Sequence, residues 1–146
     1  MSRVLGVDLG SRRIGIAASD PSGVLASPVG VVERRDDRAA EHRDVVAHAT
    51  ELGATTIVVG LPLSLDGSHG PAARAVLDEV AELGALARAA GVEVDTYDER
   101  FSTVTAEQGL REAGVRRRER RGRERRGRVD AAAATVILQS WLEAHR

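Results

Sequence analysis

Apolar positions along this chain follow two periods, and the change between them divides the sequence. Arg3–Leu9 (RVLGVDL) is apolar and β-branched enough for a buried strand. Gly10-Ser11-Arg12-Arg13 makes a short turn, and Ile14–Ser19 reads as a second strand. Asp20-Pro21-Ser22-Gly23 is a turn signal. Val24–Glu33 reads as a third strand, in which Pro28 predicts a sheet edge or a bulge. Connections this short predict an antiparallel meander. The period then lengthens. Asp36–Leu52 carries Ala39, Ala40, Val45, Val46, Ala49 and Leu52 at helical spacing, with Gly53 as a stop. Thr55–Gly60 is a short apolar strand and Leu61–Gly70 a loop. Pro71 opens a helix with Val76, Leu77, Val80, Leu83 and Leu86 on one stripe, ending at Gly91. Val92–Tyr97 alternates as a strand, and Thr103–Ala113 reads as a helix. Val129–Ala144 is a final amphipathic helix, with Val129, Ala132, Val136 and Leu142 near one face.

This order predicts an α/β fold in a single domain over residues 1–146. Its five-stranded mixed sheet has a meander of three strands, then two strands in αβ units, with helices on both faces. Arg116–Arg128 breaks the pattern. It has no large apolar residue, cannot contribute to a core and reads as an Arg-rich loop.

Composition narrows the chemistry. Hydrophobic residues are 42% and charged residues 29%, as in an ordinary globular domain. Cysteine is absent, which excludes disulfide scaffolds, zinc–thiolate sites and cysteine nucleophiles. The apolar runs are too short for a membrane span, and no signal-peptide pattern opens the chain, so a cytoplasmic protein without a membrane partner is expected. The net charge of -1 conceals an asymmetry. Between Arg111 and Arg128 stand ten Arg and three Glu, a net of +7; the rest of the chain carries -8. A basic block on an acidic body favours polyanion binding over a merely solvated charge run. Tyr97, Phe101 and Trp141 are the only aromatics, so recognition of backbone and shape is expected rather than base stacking.

Three separate carboxylates are candidates for chemistry. Asp8 lies inside an apolar strand, where burial is costly without a partner. From the strand alone, a site carboxylate and a structural cap of the adjacent turn are equally good readings. Asp98-Glu99-Arg100 follows a strand's C-terminal end, where open α/β sheets place ligands; a surface ion pair is the stronger reading of that tripeptide alone. Asp130 falls in the first turn of the last helix, where the helix dipole also favours a carboxylate, but Ala133, Ala134 and Ile137 make its face apolar. Three carboxylates with no Cys and no His cluster suit Mg²⁺ or Mn²⁺, and a metal relieves their mutual repulsion. Two such ions about 3.5–4 Å apart can clamp the attacking and leaving oxygens of a phosphodiester. Leu61–Ser68 offers Ser64, Asp66 and Ser68 to a phosphate; taken alone it is better read as a rigid loop with a turn at Asp66-Gly67.

Together these pieces resemble the YqgF family of RNase H-like nucleases, also called RuvX or Holliday junction resolvase-like proteins. The matching residues are Gly6–Ala17 (GVDLGSRRIGIA), Val59–Leu63 with Asp66-Gly67-Ser68, Asp98-Glu99-Arg100, and Val129–Ala133 running on to Ile137-Leu138-Gln139. They cover nearly the whole chain in order. The resemblance implies an RNase H-like sheet and a catalytic, metal-holding triad of Asp8, Glu99 and Asp130, with Asp98 as a neighbour. It implies maturation of the 5′ end of the small-subunit ribosomal RNA precursor, with resolution of branched DNA as an older assignment. Nucleic acid, structured RNA before branched DNA, is the expected partner, with the pre-ribosomal particle behind it. Substrate contacts are expected from Arg13, Ser64, Asp66, Ser68, Arg100, Arg120, Arg121, Arg123 and Arg125. Ser64 stands where Asn is common, Phe101-Ser102 where Leu-Thr is usual, and Arg stands for Lys before Val129-Asp130. Two rivals have other signatures. The D-x-G start followed by a meander also resembles the phosphate-binding hairpin of sugar kinases and actin-like ATPases, which need a second lobe. A non-catalytic nucleic-acid-binding module would keep the Arg block but has no need of three carboxylates.

Overall fold

The computed structural model describes residues 2–62, 70–98 and 123–145, the side chains of the last segment from Ala131 onward. Its elements are β1 (Arg3–Leu9), β2 (Arg13–Ser19), β3 (Ala26–Glu33), α1 (Arg38–Glu51), β4 (Ala54–Leu61), α2 (Pro71–Ala89), β5 (Glu93–Asp98) and α3 (Arg123–Ala144). The expected helix over Thr103–Ala113 lies outside the described residues.

The strand order is β3-β2-β1-β4-β5. The first three strands form the predicted antiparallel meander, and β4 and β5 run parallel to β1. Pro28 lies on an edge strand beside a register shift at Ile16/Ala17, so it marks an edge and a bulge together. Asp20 closes the β2–β3 turn. Its carboxylate accepts from the Leu25 and Val24 backbone N–H groups and from the Ser22 hydroxyl. Those bonds, led by the one from Leu25, hold its pKa far below the ordinary carboxylate range.

Two apolar layers flank the sheet. On one face Leu5, Val7, Ile14, Ile16, Ile57 and Val59 pack against Val45, Val46 and Ala49 of α1 and Leu83 and Ala87 of α2. On the other, Val4, Ala17, Ala26 and Val58 pack against Ala134, Ile137, Leu138 and Leu142 of α3. Helix ends follow the sequence signals. Asp37 caps α1 by accepting from the Ala40 N–H, Gly53 has the positive φ that stops it, and Pro71 opens α2.

Three expectations change. Ala39 is exposed on α1, and the stripe is completed by Glu41 and His42. On α3 the buried face is Ala131, Ala134, Ile137, Leu138 and Leu142; Ala132 is exposed and Val136 only half-buried. The close approach of α3 to Gly6 selects that face. Finally, α3 begins at Arg123 rather than Val129, so the second half of the Arg-rich segment is helix and not loop. Arg and Glu are good helix formers, and a segment with no core residue is still free to extend a helix that docks further on.

Candidate active site

The central position of β1 decides where Asp8 sits. Gly6 faces α3 so closely that a Cβ there would lie 2.6 Å from Leu138 Cβ and 2.9 Å from the Ala134 carbonyl oxygen. Alternation puts Asp8 on the same face as Gly6, one pleat further toward the C-terminal end of the strand, while Leu5, Val7 and Leu9 line the opposite layer. Asp8 is half-buried and engaged in interactions with its surroundings. On α3, residues 130, 134 and 138 form one i, i+4 row, so the backbone of Asp130 lies one turn beyond Ala134. The side chain of Asp130 is not among those described.

The parallel register brings three strand ends together. Val7 pairs with Val59, and Val59 with Thr96. Asp8 follows Val7 by one residue and Asp98 follows Thr96 by two, so both lie at the same end of the sheet. Asp95, whose carboxylate accepts from Trp141 Nε1 at 2.9 Å, and Tyr97 lie on the α3 face. Alternation therefore puts Asp98 on the face opposite Asp8. Burial, with the Asp98 and Glu143 charges behind it, pushes the Tyr97 phenol up.

Arg13 opens β2 opposite Glu33, to which its Nε donates at 3.2 Å; its side chain is only 11% exposed. Glu99, Arg100, Ser64, Asp66, Ser68, Arg120 and Arg121 lie outside the described residues, as do the side chains of Arg123 and Arg125. Among the described residues no three His, Asp or Glu side chains cluster tightly enough to hold a metal. A hollow of about 390 Å³ between α2 and β5, lined by Val80, Gly84, Arg88 and Glu93, opens on the other face and holds none of the candidates.

The sequence reading passed over Arg34, Glu41, His42 and Glu79. Arg34 follows β3, and its guanidinium meets Glu41 of α1 at 2.9 Å and both oxygens of Glu79 of α2 at 2.6 and 2.9 Å. His42 Nε2 lies 2.7 Å from Glu79. Burial pushes the Glu79 carboxyl up, but the His42 and Arg34 hydrogen bonds and charges outweigh it and hold it down to about 2. Glu41 is lowered by the Arg35 backbone N–H and by Arg34, against burial. The signal was present in sequence: Glu41-Val45-Ala49 and Glu79-Leu83-Ala87 are both i, i+4 rows with an acid on the buried stripe.

The sequence profile of the RuvX family, described as Holliday junction resolvase, matches residues 2–144. The chain belongs to the RuvX family. It is 48% identical over 141 residues to a protein of Anaeromyxobacter sp. strain Fw109-5 named "Putative pre-16S rRNA nuclease", covering 97% of this chain and 96% of that one. A Kineococcus radiotolerans protein of the same name is 45% identical over 97% of this chain and 72% of its own length. The structure of Thermus thermophilus RuvC in complex with a Holliday junction substrate superposes with a TM-score of 0.62 at 16% identity, covering 99% of this chain and 96% of that one. At that identity the likeness shows the fold: the five-stranded α/β sheet read from the sequence, of the RNase H-like kind that the family resemblance implies.

Proposed function

We propose that this chain is a metal-dependent nuclease that hydrolyses phosphodiester bonds in structured RNA and processes the 5′ end of pre-16S rRNA. The nuclease reading is carried by family membership and by relatives of that name that align with 97% of this chain. The observation that supports its site is the position of Asp8: a half-buried carboxylate at the C-terminal end of the central strand, on the face crossed by the helix that contains Asp130. Alternation removes Asp98 from that face.

Asp8, Glu99 and Asp130 are the proposed ligands of Mg²⁺ or Mn²⁺. An all-carboxylate set fits a hard divalent cation, and a half-buried carboxylate such as Asp8 is stabilised by a positive charge beside it. Such ions supply Lewis acidity at the scissile phosphate and lower the pKa of the attacking water. In this reading Asp8, Glu99 and Asp130 would together hold the ions. Ser64, Asp66, Ser68, Arg13 and Arg100 orient the substrate strand, and Arg120, Arg121, Arg123 and Arg125 bind its phosphates in the cytoplasm, on the pre-ribosomal particle. Because water rather than the ribose 2′-hydroxyl attacks, no cyclic phosphate forms; with the P–O3′ bond as the one that breaks, the products carry 3′-hydroxyl and 5′-phosphate ends.

A second reading, resolution of branched DNA, is favoured by the description of the family itself. The two separate in one experiment. Precursor rRNA fragments and four-way DNA junctions are incubated in parallel with Mg²⁺, with Mn²⁺ and with EDTA, using the Asp8→Asn protein as control. Cleavage of the RNA, abolished by EDTA and by the nearly isosteric Asp8→Asn change, is the expected result. Activity that survives EDTA, or cyclic-phosphate product ends, contradicts the mechanism; preferential junction cleavage transfers it to DNA.

A further inference from the structure

The buried ionic cluster is not used by the proposed chemistry, yet it reaches the segment that follows Asp8. Arg34 donates its backbone N–H to the Arg12 carbonyl and its Nε to the Gly10 carbonyl, each at 3.0 Å. One residue thereby holds two carbonyls of the Gly10–Arg13 turn. That turn has little slack. The Gly10 N–H donates to the Asp8 carbonyl at 3.0 Å, and a Cβ on Gly10 would sit 2.5 Å from the Arg13 carbonyl oxygen. The remaining guanidinium donors go to Glu41 and Glu79, which are 3% and 5% exposed. The second oxygen of Glu41 accepts from the Arg35 N–H at 2.7 Å. A rigid fork between two buried carboxylates fixes the direction of Nε.

Stability alone does not account for the cluster. Two buried carboxylates and a guanidinium carry a desolvation cost that well-packed apolar side chains avoid. What apolar side chains cannot supply is a directed hydrogen bond to Gly10, two residues from Asp8. We propose that Arg34 is a positioning residue: it clamps the Gly10–Arg13 turn and so fixes the end of β1 that aims the Asp8 carboxylate. The proposal rests on the reading of Asp8 as a metal ligand.

Arg34→Lys tests it. Lysine keeps the positive charge between Glu41 and Glu79, but a single ammonium on a flexible stem cannot also serve Gly10. Mn²⁺ binding to the free protein is followed by electron paramagnetic resonance, and steady-state cleavage of the precursor rRNA fragment is measured beside it. Loss of a group bonded directly to a metal ligand commonly costs about 10–100-fold in metal affinity or activity, and Arg34, acting one step further out, belongs at the lower end of that range. Arg34→Lys should therefore raise the Mn²⁺ dissociation constant and lower kcat by a factor in that range, with KM for RNA unchanged. Leu83→Ala, which loosens the same helices without touching the turn, should lower the melting temperature and leave Mn²⁺ affinity and kcat as they are. If Arg34→Lys does not fold, Glu41→Gln loosens the fork while keeping the Glu79 pair, and should shift kcat and Mn²⁺ affinity in the same direction. Wild-type protein whose Mn²⁺ binding does not depend on Asp8 overturns the site reading and the proposal with it. Asp8-dependent binding in wild type, with folded Arg34 or Glu41 variants matching it in Mn²⁺ affinity and kcat, overturns the proposal alone.

Discussion

Glu79 shows how a single buried acid can tie stability to pH. Its folded-state pKa is held at about 2, below the ordinary value of 4.5. A depressed carboxyl contributes stability that is fully present above its unfolded pKa and is lost as pH falls toward the folded one. The window is therefore from about pH 4.5 down to about 2, and Glu41, lowered by the same guanidinium, acts in the same direction. Removing one partner of a buried pair commonly costs about 3–5 kcal/mol. Glu79→Gln should accordingly lower the melting temperature strongly at pH 7, and the gap to wild type should close as pH approaches 2. A melting series from pH 7 to pH 2 checks this; a gap independent of pH would mean that the charge of Glu79 does not contribute.

At the scale of elements, α3 and β1 meet through the absence of a side chain. Gly6 lets the helix backbone at Ala134 approach the central strand, and the same contact fixes where Asp130 stands along the sheet. Gly6→Ala would place a methyl group 2.9 Å from a backbone oxygen, so the helix itself must move. Overpacking of this kind costs about 1–3 kcal/mol. Gly6→Ala should lower the melting temperature by several degrees and, below that temperature, reduce cleavage more than substrate binding, because Asp130 shifts relative to Asp8. Equal losses in both would remove the link between packing and site. The contact also marks the limit of what was legible beforehand. The elements could be read because each carries its own period and punctuation: alternation in β5, Pro71 and Gly53 at helix ends, Pro28 on an edge. The face of α3 could not, because eight Ala, Val, Ile and Leu residues between Val129 and Leu138 leave several stripes almost equally apolar, and the choice among them is made by Gly6 on a different element. Likewise, Asp8 stood out as an acid in an apolar strand, whereas the partners of Arg34 lie 7 and 45 residues away and meet only once α1 and α2 cover the sheet.

At the scale of the whole molecule, charge is divided between an acidic body and one basic block of net +7. The block runs directly into α3, whose far half packs on the sheet and whose early turns contain Asp130, so a strand gripped by these Arg residues would be delivered to the proposed site. Arg120, Arg121, Arg123 and Arg125 lie in a stretch without a large apolar residue, so replacing them removes charge and almost no burial. Gln is nearly as good a helix former as Arg, so the start of α3 should survive the change. Each phosphate neutralised contributes a slope of about -0.9 for duplex, or about -0.7 for a single strand, in a log–log plot of affinity against salt. Changing all four Arg to Gln should weaken binding of a precursor rRNA fragment and flatten that plot by up to about 3–4 units if every one meets a phosphate. The melting temperature should hardly move. The measurement is a salt titration of affinity for both proteins under metal-free conditions, where no cleavage intervenes. Parallel lines of equal slope would mean that these side chains are solvated rather than bound, and the grip would have to come from elsewhere on the chain.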